Sequence, residues 1–333
     1  MRPAVVVVLV GLAACREDPR IAEPPAVQPP LAAPDLRDVR GQPEARRALE
    51  IAAAGAHHLL LLGPPGCGKS MLAQRLPSIL PPLGFDEALS STQVHCAAGL
   101  LTGHTMLDAR PFRAPHHTVT VAGLVGNHAL RPGEVALAHN GVLFLDEAAE
   151  FRRSALEILR QPLEDGEIRV TRAAGNVTWP ARVTLVLASN PCPCGHLGTD
   201  RCECSFTSVN AYRRKLSGPI LDRIDLHLTV AREATSLASA PSTGESSASA
   251  AQIVSEARDR QQQRQGCANA FLDLPALRQH CVLTPEDEAW LETACERLSL
   301  SLRAAHRLLK VARTLADLER VEAISRSHIA EAL

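Results

Sequence analysis

At 333 residues, with 46% hydrophobic and 21% charged side chains, the chain is long enough for two domains and has a composition that excludes a disordered or fibrous protein. Its formal net charge of −1 supplies no global basic field, so any nucleic-acid partner must be held by local patches. Ten cysteines are few for a disulfide scaffold of this length, and Cys15, Cys67, Cys96, Cys267, Cys281 and Cys295 are scattered as free thiols would be in a reducing compartment.

In chain order, "MRPAVVVVLVGLAAC" has one arginine, an apolar run too short to span a bilayer and a Leu-Ala-Ala-Cys ending. It reads either as a lipoprotein leader cleaved before Cys15 or as the remnant of a preceding domain, joined to a Pro-rich linker that ends at residue 34. A helix is expected in "GQPEARRALEIAAAG", with Ala45, Ala48, Leu49 and Ala52 on one face. "HHLLLLGPPGCGKSMLAQRL" follows as apolar run, Gly/Pro turn and helix. "GVLFLDEAAEF" and "RVTLVLASNP" are further apolar runs of buried-strand length. Strands alternating with helices imply a three-layer α/β domain with a mainly parallel sheet.

Between the last two runs, "GEIRVTRAAGNVTWPARV" has the form of an inserted β-hairpin turning at residues 173–176. Residues 232–250 are Ser/Ala-rich and read as a flexible loop, and helical periodicity dominates from residue 251. "TPEDEAWLETACERL" carries a helix start signal and "SLRAAHRLLKVARTLADLE" is the clearest helix. The chain thus divides into an α/β core at 35–231 and a helical lid at 251–333.

The chemistry concentrates in "GPPGCGKS", Gly63–Ser70, which matches G-x-x-x-x-G-K-[ST] between a strand and a helix. Gly63, Pro64, Pro65, Gly66, Cys67, Gly68, Lys69, Ser70 and Met71 form the expected phosphate cradle. Lys69 would reach the β- and γ-phosphates of ATP, and Ser70 Oγ would ligate Mg²⁺. Asp146, at the end of "VLFLD", is the second expected Mg²⁺ group, and Glu147 would polarise the attacking water. Asn190 closes "TLVLASN" at the same sheet edge, where its amide could orient that water. Arg223, in "LDRID", reads as a salt-bridged structural residue or as a finger acting on a neighbouring subunit's nucleotide. Arg303 begins a lid helix and could approach the γ-phosphate from the other side, with Arg307 one turn on as a competing candidate.

These residues and the longer runs "DVRGQPEARRALEIAAAGAHHLLLLGPPGCGKSMLAQRLPSILPPL", "RPFRAPHHT", "RPGEVALAHNGVLFLDE", "LRQPLEDGEIRVTRAAG", "ASNPCPCG", "LSGPILDRIDLH" and "AHRLLKVARTLADL" resemble the magnesium-chelatase-like AAA+ ATPases of the ComM/YifB group over about residues 35–333. The resemblance implies a P-loop AAA+ core, with Lys69 and Ser70 as Walker A, Asp146 and Glu147 as Walker B, Asn190 as sensor 1, Arg223 as arginine finger and Arg303 as sensor 2. It places Val39, Gly41 and Gln42 in the adenine pocket and implies a homo-hexameric ring. The group includes a helicase of branch migration in natural transformation. Its members carry a Lon-protease-like domain ahead of the motor, of which residues 1–34 would be the remnant. An ATP-driven protein is expected in the cytoplasm, without a membrane partner, and that expectation sets the lipoprotein reading aside.

DNA would be gripped in the ring's pore, by Arg169, Arg172 and Asn176 of the hairpin and by Arg110, Arg113, His116 and His117 of "LDARPFRAPHHTVT". The rivals are a protein-remodelling or chelatase-type motor and a truncated nucleotide-gated module without turnover. Cys192, Cys194, Cys202 and Cys204 form C-x-C-x7-C-x-C, which leaves open a structural Zn²⁺ site, with His196 able to replace one ligand, or free thiols.

Overall fold

A computed structural model describes residues 34–101, 106–127, 129–172, 175–216, 218–232 and 244–333. The readings of residues 1–33, of most of the 232–250 loop and of the hairpin tip at 173–174 lie outside these residues.

Five strands form the central sheet: β1 (Leu59–Leu62), β2 (Phe112–Arg113), β3 (Val142–Leu145), β6 (Thr184–Ser189) and β7 (Leu226–Thr229), in the order β2-β3-β6-β1-β7. Every neighbouring pair is parallel. The central strands are continuous apolar runs because helices cover both faces of the sheet, and all residues of β3 and β6 are buried. One face packs with the helix α1 (Pro43–Gly55) and α2 (Lys69–Arg75) through Leu49, Ala52, Leu59, Leu61, Leu72, Phe144 and Val186. The other packs through Leu60, Val94 of α3 (Phe85–Ala98), Leu143, Leu145, Leu185 and Leu187.

Parallel strands place the ends of β1, β3 and β6 on one edge, which collects Gly63, Asp146 and Asn190 there. β4 (Glu167–Arg172) and β5 (Gly175–Pro180) pair antiparallel as the expected hairpin, anchored by buried Ile168 and Val170.

The C-terminal region is helical: Ser247–Gln265, Leu274–His280, Pro285–Arg297, Leu302–Leu318 and Arg326–Ala332. Thr284 caps the third of these by accepting the Asp287 N–H, which accounts for the Thr-Pro-Glu-Asp start. The first begins at Ser247, inside the stretch read as loop. Ser246 accepts the Ser249 N–H as its cap, and Ser247 Oγ accepts the Leu36 N–H at 2.7 Å. Leu272, Leu277, Leu291, Leu308, Ala312 and Ile329 form a separate small core. Among the described residues, no helix is long and apolar enough to cross a membrane.

Candidate functional site

Gly63–Ser70 leaves β1 and turns into α2 through Gly66 and Gly68, at φ 74 and 97, a region that favours glycine. Lys69 is 8% exposed, and its ammonium donates to the carbonyls of Gly63 at 2.7 Å and Pro64 at 3.0 Å and to Asn190 Oδ1 at 3.1 Å. No carboxylate of the described residues pairs with it. A buried cation satisfied by neutral acceptors, in a glycine loop at a sheet edge, is suited to an anionic ligand.

Ser70 Oγ donates to Asp146 Oδ2 at 2.6 Å, which joins the first helical turn to the end of β3. A hydroxyl and a carboxylate are hard oxygen donors and fit Mg²⁺. Asp146 is held from its other side by the Glu147 N–H, at 2.9 Å from Oδ1. Glu147 takes φ 50 and ψ 46, an uncommon backbone for a residue with a side chain, and its carboxylate is exposed. His117 Nδ1 lies 3.6 Å from Glu147 Oε2, close enough to pair when the imidazole is protonated. Of the residues expected to line an adenine pocket, buried Val39 shares a core with Cys67 and Leu72, and Gln42 Nε2 donates to Ala231 O at 2.9 Å.

Arg223 and Arg303 lie elsewhere. Both pair with Glu164 Oε1, Arg223 at 2.7 Å, in the lining of a cleft of about 620 Å³ between the sheet domain and the C-terminal helices. Arg182, Arg307 and Lys310 also line it, and no residue of Gly63–Ser70 does, nor Asp146, Glu147 or Asn190. Within one chain, therefore, Arg303 does not join the Lys69 cluster as the sequence suggested. Arg307 is tied to the carbonyls of Leu221 at 3.2 Å and Ile224 at 2.6 Å, so it positions the turn that carries Arg223.

The model of magnesium chelatase subunit ChlI matches residues 35–237, and that of its C-terminal region matches residues 244–333. The chain belongs to this magnesium-chelatase-like AAA+ family. It is 47% identical over 306 residues to the uncharacterized protein YifB of Salmonella typhimurium, covering 91% of this chain and 60% of that protein. It is 46% identical over 301 residues to competence protein ComM of Haemophilus influenzae, with 90% and 59% covered. A shorter likeness, 30% over 176 residues, covers 53% of this chain and 23% of a protein of Arabidopsis thaliana named "Probable DNA helicase MCM9". The chain spans about 60% of the length of the first two relatives.

In this family member the segment read as a second DNA loop has other work. Phe112–Arg113 is the sheet strand β2, and Arg113 makes a two-pronged pair with Glu134 at 2.7 and 2.8 Å. Arg110 is 14% exposed and spends its guanidinium on Glu87 and on the carbonyls of Pro81, Pro82 and Asn140. These two arginines tie the segment to the rest of the sheet domain, and the His117 ring lies tilted 4.0 Å from that of His116 while facing Glu147. Glu164 and the Glu147-facing position of His117 were missed by sequence reasoning. An acid in a Glu-Asp-Gly turn and a His-His pair carry no signal of their own.

Proposed function

We propose that the chain is the ATP-hydrolysing motor of a ring assembly that works on DNA. The observation that carries this reading is the buried Lys69 ammonium, held only by neutral acceptors beside the Ser70–Asp146 pair and Asn190. Val39, Gly41 and Gln42 would flank the base, and Gly63–Met71 would cradle the phosphates. Ser70 and Asp146 would hold Mg²⁺, which when bound neutralises charge developing between the β- and γ-phosphates. Lys69 would move from the Gly63 and Pro64 carbonyls to phosphate oxygens. Glu147 would accept a proton from the attacking water and Asn190 would orient it.

The cleft holding Arg223 and Arg303 contains no phosphate-loop residue, so these two groups would serve a nucleotide bound by an adjacent copy. That arrangement makes a closed homo-oligomer, a hexamer in the resemblance, part of the active site. Its parts would be the core at 35–231 and the helical lid, whose first helix starts at Ser247, working in the cytoplasm where ATP is supplied. DNA is favoured as the track by the exposed hairpin with Arg169 and Asn176 and by the names of the competence and helicase relatives. A second metal, a structural zinc ion, would be held by Cys192, Cys194, Cys202 and Cys204, whose thiols lie within 4.8 Å of one another.

The test is ATP hydrolysis measured with no DNA and with single-stranded, duplex and branched DNA, while assembly size is followed. Mg²⁺-dependent turnover that rises with DNA is expected. Turnover indifferent to all three DNAs would favour a protein-remodelling motor, and nucleotide binding without turnover would favour a gated module.

A further inference from the structure

The connection from β6 to the Phe206–Arg213 helix lacks an ordinary reason to be folded. Residues 190–204 contribute nothing to the three apolar cores, and only Cys192 and Gly195 among them are buried. Their backbone bonds are local turns: Gly195 N–H to Cys192 O at 3.0 Å, Thr199 N–H to His196 O at 3.1 Å and Cys202 N–H to Thr199 O at 3.0 Å. Yet this loop gathers four thiols within 4.8 Å of one another. Cys192 Sγ lies 3.4 Å from Cys194 Sγ and 3.9 Å from Cys202 Sγ, and the last two are 3.8 Å apart.

These distances discriminate between chemistries. A disulfide needs about 2.05 Å between sulfurs. Four sulfurs placed tetrahedrally about 2.3 Å from one ion stand roughly 3.8 Å from each other. A tetrahedral set of soft sulfur ligands suits zinc. His196 is not a member of the cluster, although the sequence allowed it as one.

The loop's position gives such an ion a second consequence. Gly195, at φ 80, is pressed against the phosphate loop: a Cβ there would come within 2.5 Å of Pro65 Cδ and 2.7 Å of Pro65 Cγ, and 3.7 Å from Asn190 Cγ. Asn190, two residues before the first ligand, is also the residue that faces Lys69. The cysteine loop is thus a wall of the Lys69 site.

We infer that the four cysteines bind one zinc ion that holds this wall against Pro65 and Asn190, so that nucleotide affinity depends on the metal. The zinc half of the inference stands on the thiol geometry, and the nucleotide half rests on the proposed function of the Lys69 site.

The experiment measures metal content of the purified chain, then titrates a fluorescent ADP before zinc extraction, after it, and after zinc is restored. Cys202→Ser and Gly195→Ala are measured beside it. One zinc per chain is expected, lost in Cys202→Ser and retained in Gly195→Ala. ADP affinity should fall by at least about tenfold on extraction and in Gly195→Ala, and recover when zinc is restored. Absence of stoichiometric zinc, iron in its place, or full zinc in Cys202→Ser overturns the metal site. Stoichiometric zinc whose removal leaves ADP affinity within about twofold overturns the wall. Should Cys202→Ser fail to fold, wild-type affinity in zinc-loaded Gly195→Ala overturns it equally. Zinc-loaded wild type that binds no ADP at all would reject the nucleotide reading and the coupling with it, leaving the zinc site standing.

Discussion

Replacing Asn190 with alanine removes the side-chain acceptor that faces the Lys69 ammonium at 3.1 Å. The ammonium keeps the Gly63 and Pro64 carbonyls at 2.7 and 3.0 Å, so the loop should retain its shape. A hydrogen bond to a charged group contributes about 1.5–3 kcal/mol net, and about 1.4 kcal/mol is tenfold. If Asn190 acts on the γ-phosphate side, that energy should be missing from the chemical step. Turnover should then fall about 10–100-fold, while ADP, which lacks the γ-phosphate, binds within about threefold of wild type. Asn190→Asp should behave differently, because a carboxylate at the same place would pair with Lys69 in a poorly hydrated site and repel phosphate. It should weaken ATP and ADP alike. Phosphate release and fluorescent ADP titration separate the two variants. Alanine with wild-type turnover, or aspartate with wild-type ADP affinity, would refute the assignment.

Other consequences concern assembly, stability and pH. Arg223→Ala should bind nucleotide but lose about 10³-fold or more in turnover, and mixing it with Lys69→Ala should restore part of the rate, because each copy supplies what the other lacks. No recovery on mixing would contradict action between subunits. Asp317, 1% exposed, accepts from Arg264 at 2.6 and 2.9 Å and from Asn269 Nδ2 at 2.8 Å and pairs with Arg313 at 3.2 Å. Asp317→Ala leaves Arg313 buried without its partner, and urea unfolding should show a loss of about 3–5 kcal/mol. Burial, with Arg182 nearby, pushes His139 down from 6.5 to about 4. The unfolded imidazole takes its proton first, so this stability is complete above about 6.5 and is lost as pH falls towards 4. It amounts to about 3 kcal/mol at most. Urea unfolding of His139→Gln should therefore weaken less between pH 7 and pH 5 than that of wild type.

What the sequence disclosed follows the physics of each part. β1, β3 and β6 are continuous apolar runs because both of their faces are covered, and runs of that kind are visible without coordinates. β2 is two residues long, hemmed in by Pro111 and Pro115, and is defined by its pairing with Val142 and Leu143 of β3. No local pattern announces it. The Ser247 helix start was read as loop because serine-rich stretches have loop composition, whereas its register is set by Ser247 meeting Leu36 at 2.7 Å. Lys69, Ser70, Asp146 and Asn190 were legible since each ends or follows a recognisable strand, and parallel pairing brings those ends together. The seat of Arg223 and Arg303 was not, because Glu164 meets them only through tertiary packing.

The central claim is that Lys69, Ser70 and Asp146 form a site that binds Mg²⁺-ATP and Glu147 makes it turn over. Nucleotide binding and hydrolysis measured side by side for wild type, Lys69→Ala and Glu147→Gln address it most directly. The expected result is binding and turnover in wild type, loss of both in Lys69→Ala, and tight ATP binding without hydrolysis in Glu147→Gln. Wild-type ATP binding in Lys69→Ala, or unchanged hydrolysis in Glu147→Gln, would contradict it.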